Sequence, residues 1–238
     1  GIWVVVGHLS DEVCKHLGDS VEIVYQQELP GTGHAVMQAK DFITRHGSAN
    51  VLILNGDAPF IDAETIKGAL NFHVRAVNQA TVISSKIDNP QGYGRIVRSS
   101  SGQLMRIVEE KDASENEKQI NEVNSGAYWF NCQALLNALG KLSTFRELSA
   151  AGRKKEIQLT DAVEIILSQS LNATAFNSRI PDIVLGANDR VQLAKLNAIA
   201  RQYQLNRQMM EGVSIPCADG VIIGPDVLIG ADTLILPG

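Results

Sequence analysis

The 238-residue chain has no excess of positive charge: 21 Lys and Arg stand against 26 Asp and Glu, a formal net charge of −5. It lacks the basic footprint that sequence-independent binding to a polyanion needs, so nucleic acid is not an expected partner. Cysteine is scarce and odd in number. Cys14, Cys132 and Cys217 stand far apart with no C-x-x-C pair, which suggests neither a disulfide framework nor a zinc site; they read as buried thiols of a reducing cytosol. No stretch approaches the roughly 20 apolar residues of a bilayer helix, and the run from Gly1 to Gly7 lacks the basic flank and cleavage site of a signal peptide. A soluble, cytoplasmic protein is expected. Aromatics are only 5% of the chain, yet 45% of residues are hydrophobic and 20% charged, enough to bury an ordinary globular core.

What is present is a rhythm of strand-length apolar runs and helix-period segments, which predicts an α/β fold with a parallel sheet. Strands are expected at Ile2 to Val6, Val21 to Tyr25, Val51 to Leu54, Thr81 to Ser84 and Val123 to Phe130. Ser10 is expected to cap a short helix that stops at Gly18. Further helices are expected through Ala35, Val36, Ala39, Phe42 and Ile43, after an Asp62 cap, from Gln133 to Leu139, and at Thr160 and Asp161. Gly92 to Arg98 and Leu104 to Val108 read as an inserted hairpin, and Ala187 to Met210 as a long helix. Then the pattern changes: Ile223-Gly224, Ile229-Gly230 and Ile235 recur as hexapeptides, the period of a β-helix, which is favoured over a single hairpin of chance spacing.

In open α/β sheets ligands sit beyond the carboxyl ends of the strands, where Asn55, Gly56 and Asp57 follow a buried run. Asp57 suits a divalent cation that also takes phosphate oxygens, and equally suits a loop cap before Pro59. Gln26 to Ala35 joins a strand to a helix through Gly31, Thr32 and Gly33, bringing backbone N–H groups and an amide close to a ring or a phosphate; tight structural turns use the same glycines. His34 reads as packing or capping rather than catalysis. Glu109, Asn124 and the Gly92/Gly94 pair offer carboxylate, amide and bare backbone suited to the hydroxyls and acylamino group of a sugar, while Lys111 and Asp112 read as a solvated hairpin end.

Six segments in order carry a resemblance: Gln26 to Ala35, Leu54 to Pro59, Asn89 to Ile96, Ile107 to Asp112, Val123 to Gly126 and Gly186 to Arg190, ahead of the hexapeptides. Together they resemble the bacterial bifunctional N-acetylglucosamine-1-phosphate uridylyltransferases over nearly the whole chain. The resemblance implies a Rossmann-like nucleotidyltransferase domain over residues 1–187, a linker helix over 188–212 and the first coil of a left-handed parallel β-helix over 213–238. It implies transfer of uridylyl from UTP to N-acetylglucosamine 1-phosphate, giving UDP-N-acetylglucosamine and pyrophosphate, a step that feeds cell-wall synthesis. Gln26, Gly31 and Thr32 match the uracil-reading positions, and Asn55, Gly56 and Asp57 the ribose and metal segment. Gly94, Glu109 and Asn124 match the sugar-binding positions, and Asn188 the second ligand, with Asp57, of a Mg²⁺ ion. A homotrimer is implied for the extended protein. The other readings are a nucleotidyltransferase of different base or sugar specificity and a non-catalytic sugar-nucleotide-binding subunit.

Departures accompany the resemblance. Asn55 stands where the family commonly has Tyr, and Glu156 to Asp161 lacks the aromatics usual before Thr-Asp. The family's glycine-rich loop ending in Gly-Thr-Arg, with its following Pro-Lys, does not occur ahead of Gly1. The chain therefore reads as cut, and it is expected to be inactive and poorly stable as written.

Overall fold

A computed structural model describes residues 1–142 and 156–237. It forms two compact units, Gly1–Val184 and Leu185–Gly238. The first runs β1 (Trp3–Val6), α1 (Ser10–Leu17), β2 (Glu22–Tyr25), α2 (Thr32–Gln38), α3 (Lys40–Arg45), β3 (Asn50–Ile53), α4 (Ala63–Arg75), β4 (Ala80–Lys86), β5 (Arg95–Arg98), β6 (Leu104–Val108), α5 (Glu115–Lys118), β7 (Glu122–Asn131), α6 (Cys132–Leu139), α7 (Leu159–Ser168) and β8 (Ala173–Ser178), closing on a 3-10 turn at Pro181–Val184. The second contains α8 (Arg190–Met210) and the segment that follows it.

The sheet is mixed, a correction to the parallel expectation. β1 and β2 pair in parallel as a two-stranded sheet, and six strands form the other in the order β6-β5-β7-β4-β8, with β3 also on β7. β4 and β8 run parallel, but β7 is antiparallel to β3, β4 and β5. Its 10 residues are long enough for β4 to line one edge while β3 and β5 share the other, and the β5–β6 hairpin brings the chain back reversed. β4 is central and buried along all but Lys86. Because successive strand residues face opposite sides, Ala80, Val82, Tyr128 and Phe130 pack with Leu135, Val163 and Ile166 of α6 and α7, whereas Ile83, Val123 and Ala127 pack with Ala69 of α4 and with Ile183. Helices thus cover both faces.

Several local expectations change. Ser10 is the first helical residue of α1, not its cap; Leu9 holds the cap position at φ 53°. The helix expected through residues 35–43 starts at Thr32 and breaks at Ala39, whose ψ of 15° leaves the helical range. Asp62 does cap α4, accepting from Thr65 N. The helix expected at Thr160 opens one residue earlier, with Gln158 and Asp161 forming a reciprocal capping box. β8 has no counterpart among the expected strands, since its apolar residues are mostly alanines. Cys132 is buried, but Cys14 and Cys217 are not: Cys14 lies on α1, none of whose residues is buried. No helix among the described residues is long and apolar enough to cross a membrane.

Candidate functional site

The site begins with an irregularity in β7. Ile83 pairs with Ala127 but Ser84 pairs with Asn124, so Ser125 and Gly126 bulge out of register. Short polar side chains satisfy the loosened backbone. Ser125 Oγ donates to Ile83 O at 2.7 Å, Ala127 N donates to Ser125 Oγ at 3.3 Å, and Gly126 N donates to Asn124 Oδ1 at 3.1 Å. Gly126 sits at φ 75°, and a Cβ there would run into the Asn55 amide. The bulge therefore brings Asn55, from the loop after β3, against Gly126.

Around it the three residues expected to hold a sugar converge. Asn124 N donates to Gly94 O at 2.8 Å. A Cβ on the buried Gly94 would stand 3.2 Å from Glu109 Oε2, so the carboxylate lies over bare backbone. Asn124 Nδ2 donates to the Tyr128 hydroxyl at 2.6 Å, and Thr160 Oγ1 donates to Glu109 Oε1 at 3.1 Å. Burial raises the Glu109 carboxyl above the usual carboxylate range, against the lowering by Thr160 and Lys111. Burial also raises the Tyr128 phenol, with the Glu109 charge adding to it.

The second group forms where β2 meets α2. Gln26 is buried just past β2, its N–H donating to Val6 O at 2.8 Å. Gly31 has φ 133°, and a Cβ there would collide with the carbonyl of Ile157. Gly33 N donates to Ile157 O at 2.8 Å and Ile157 N donates to Pro30 O at 2.6 Å. Thr32 Oγ1 donates to Gln158 Oε1 at 3.1 Å and accepts from Leu159 N at 3.0 Å. Residues 157–160 thus form a strap, clasped at one end by the Gly31–Gly33 loop and at the other reaching Glu109 through Thr160.

Asn55, Gly56 and Asp57 are exposed beyond β3. Burial raises the Tyr93 phenol, and the Asp57 carboxylate adds to the rise, so Asp57 lies within electrostatic reach of Tyr93. Asn188 lies in the second unit, exposed ahead of the Asp189 cap of α8, its N–H donating to Gln192 Oε1 at 2.6 Å. No group of three or more His, Cys, Asp or Glu able to hold a metal lies among the described residues. A lone carboxylate at a strand end still suits Mg²⁺, which takes one or two protein oxygens and completes its shell with phosphate and water.

Comparison with known proteins gives the family. The family model described as nucleotidyl transferase matches residues 2–181. The chain belongs to the nucleotidyl transferase family. Curated relatives of this nucleotidyl transferase include the bifunctional protein GlmU of Acetivibrio thermocellus, 42% identical over 234 residues, covering 98% of this chain and 49% of the relative. GlmU of Thermoanaerobacter pseudethanolicus is 44% identical over 235 residues, covering 99% and 50%. The chain therefore spans about half the length of the curated relatives it matches. Among solved structures, a Bacillus anthracis protein assigned as a glucose-1-phosphate thymidylyltransferase, in complex with sucrose, has a TM-score of 0.61 at 20% identity, covering 84% of this chain and 76% of that one. That likeness establishes the shared nucleotidyltransferase fold.

Sequence reading misses Tyr128, the strap at Ile157 and Gln158, and the side-chain role of Thr160. Tyr128 sits in an apolar strand run and gives no polar signal. The strap lies 126 residues from its partner loop along the Thr32–Gln158 bond, so no local pattern marks it.

Proposed function

We propose that this nucleotidyl transferase chain is the uridylyltransferase part of a protein that forms UDP-N-acetylglucosamine from UTP and N-acetylglucosamine 1-phosphate. The observation that carries the reading is the strap: one four-residue segment ties the loop carrying Gln26 and Gly31 to the Gly94, Glu109 and Asn124 group, which gives a base subsite and a sugar subsite of fixed separation. In the reaction, the phosphate oxygen of the sugar phosphate forms a bond to the α-phosphorus of UTP while the bond to the β-phosphate breaks and pyrophosphate leaves. The protein's part is positioning, since phosphoryl transfer needs alignment and charge neutralisation more than covalent chemistry. Glu109 accepts from sugar hydroxyls, Asn124 and the bare Gly94 backbone receive the acylamino group, and Gln26 orients the base. Bound Mg²⁺ would neutralise charge developing on the phosphates. Asp57 would hold it from the first unit, and the assignment of Asn188 rests on the resemblance.

For the second unit, the reading is the first coil of a left-handed β-helix over residues 213–238. Turns at 219–220, 225–226 and 231–232 support it, as does the parallel bridge between Ser214 and Leu234. Ile223, Ile229 and Ile235 are half-buried while Ile222, Leu228 and Leu234 are exposed, the in–out pattern such a coil needs. Trimer formation by a longer chain belongs to the same reading, and light scattering tests it.

Calorimetry tests the sugar reading directly. The chain is expected to bind UDP-N-acetylglucosamine about tenfold or more tighter than UDP-glucose, the difference expected for one well-made polar contact; equal affinities would reject the acylamino subsite. Asp57→Asn is expected to abolish Mg²⁺-dependent tightening of UTP binding while leaving metal-free binding of uridine unchanged. A retained Mg²⁺ effect would remove Asp57 from the metal.

A further inference from the structure

We propose that His34 is a positioning residue that makes Gln26 read the base through its carbonyl oxygen alone, so that the site selects a base with an imide N–H. This rests on the proposed use of Gln26 as the base-reading group and adds how it discriminates. A free carboxamide is ambidextrous: turned over, it exchanges two donors for an acceptor with little change of shape. Selectivity between uracil and cytosine, which differ in whether ring position 3 carries a hydrogen or a lone pair, therefore requires that the amide be locked.

Two contacts lock it. Gln26 Nε2 is 3.2 Å from Gly31 O, a pure acceptor, which fixes the nitrogen on that side. The same nitrogen is 3.0 Å from His34 Nδ1. With one hydrogen on the Gly31 carbonyl, the other points at the ring, so Nδ1 accepts it. Gln38 braces the ring from the other side, its Nε2 standing 3.2 Å from His34 Nε2 and donating to the His34 carbonyl oxygen at 3.3 Å. Both hydrogens of Gln26 are then committed inside the protein. Its Oε1 makes no bond among the described residues and is not sealed from solvent. An open acceptor on a buried, otherwise saturated amide welcomes the N3–H of uracil or thymine and repels the N3 lone pair of cytosine.

The arrangement has little slack. Gly31 cannot retreat, because its Cα lies against the Ile157 carbonyl, and His34 follows on the same helix, α2, clasped through Gly33 to Ile157. Removing the imidazole leaves one Gln26 hydrogen unpaired in a buried site, a state relieved by rotating the amide or admitting water. Either outcome presents the base with a donor as well as an acceptor.

The test measures UTP and CTP binding to the native chain, His34→Leu and His34→Asn, whose side-chain oxygen can replace the ring nitrogen as acceptor. Native protein is expected to favour UTP. His34→Leu should lose about tenfold or more of that preference with a smaller change in UTP affinity, and His34→Asn should regain most of it. An unchanged preference in His34→Leu, or equal binding of UTP and CTP by the native chain, would overturn the proposal. A nitrogen-15 NMR measurement on the nucleotide-free chain separates this inference from the functional reading. Both Gln26 side-chain hydrogens should exchange slowly in the native protein, and one should become fast in His34→Leu. Failure to bind either nucleotide would defeat the functional reading while the exchange data still decided the lock. Fast exchange of both hydrogens in the native chain would defeat the lock whatever the nucleotide data showed.

Discussion

Glu109 has a conflict of interest written into its surroundings. Burial raises its carboxyl above the ordinary range, so the ionised form costs folding free energy that Thr160 and Lys111 only partly return. A raised carboxyl pKa means that the folded protein holds the proton more tightly than the unfolded chain. Its contribution therefore favours the fold below the ordinary carboxyl pKa of 4.5 and is lost as pH rises through the folded value. Such a residue has a use other than stability. Glu109→Gln is expected to keep or slightly raise the melting temperature near neutral pH, while weakening sugar-phosphate binding by about tenfold and leaving UTP affinity alone. Calorimetry beside a melting curve checks both halves, and a drop in stability with unchanged sugar binding would make Glu109 structural.

At the scale of elements, the strap links the two proposed subsites. The resemblance assigns Thr32 to uracil, but its hydroxyl already donates to Gln158 and accepts from the N–H of the buried Leu159. Thr32→Val keeps the shape and removes both bonds, which should cost about 1 kcal/mol measured by urea unfolding. Because the strap continues into Thr160 and Glu109, nucleotide and sugar affinities should fall together. A loss confined to the nucleotide would instead show the hydroxyl touching the base directly.

For the molecule as a whole, two buried polar groups set the response to acid. His73, 1% exposed, receives the Thr81 hydroxyl on Nδ1 at 2.9 Å and gives its Nε2 hydrogen to Asn50 Oδ1 at 3.2 Å; Asn78 Nδ2 in turn donates to Thr81 at 2.9 Å. Burial lowers the His73 pKa below 6.5. The unfolded chain binds the extra proton first, so stability is complete above about 6.5 and falls as pH drops toward the folded value. Glu122 acts lower. Burial would raise its carboxyl, but Arg98, bidentate at 2.6 and 2.7 Å, and the Ser84 hydroxyl at 2.6 Å hold it below 4.5. Its contribution is complete above that value and disappears as pH falls through the folded one. Urea unfolding across pH should therefore show two acid limbs. His73→Gln is expected to flatten the upper one, and a single limb near pH 4 in the native protein would contradict the His73 assignment.

Local chemistry carried in the sequence determined much of this protein. Strand-length apolar runs and caps such as Asp62 mark most elements, because hydrophobic period and side-chain capping act within a few residues. Gly94, Glu109 and Asn124 are legible as one group because carboxylate, amide and bare backbone flank the inserted strands, and the fold brings them together. What no local pattern contains is pairing across long separations. The reversed direction of β7, the alanine-rich β8 and the bulge at Ser125 and Gly126 arise from competition among strands for one sheet. The strap likewise depends on groups meeting across the fold, and even over the five and eight residues that separate Gln26 from Gly31 and His34, whether its amide is donor or acceptor is decided only by the partners that folding places beside it.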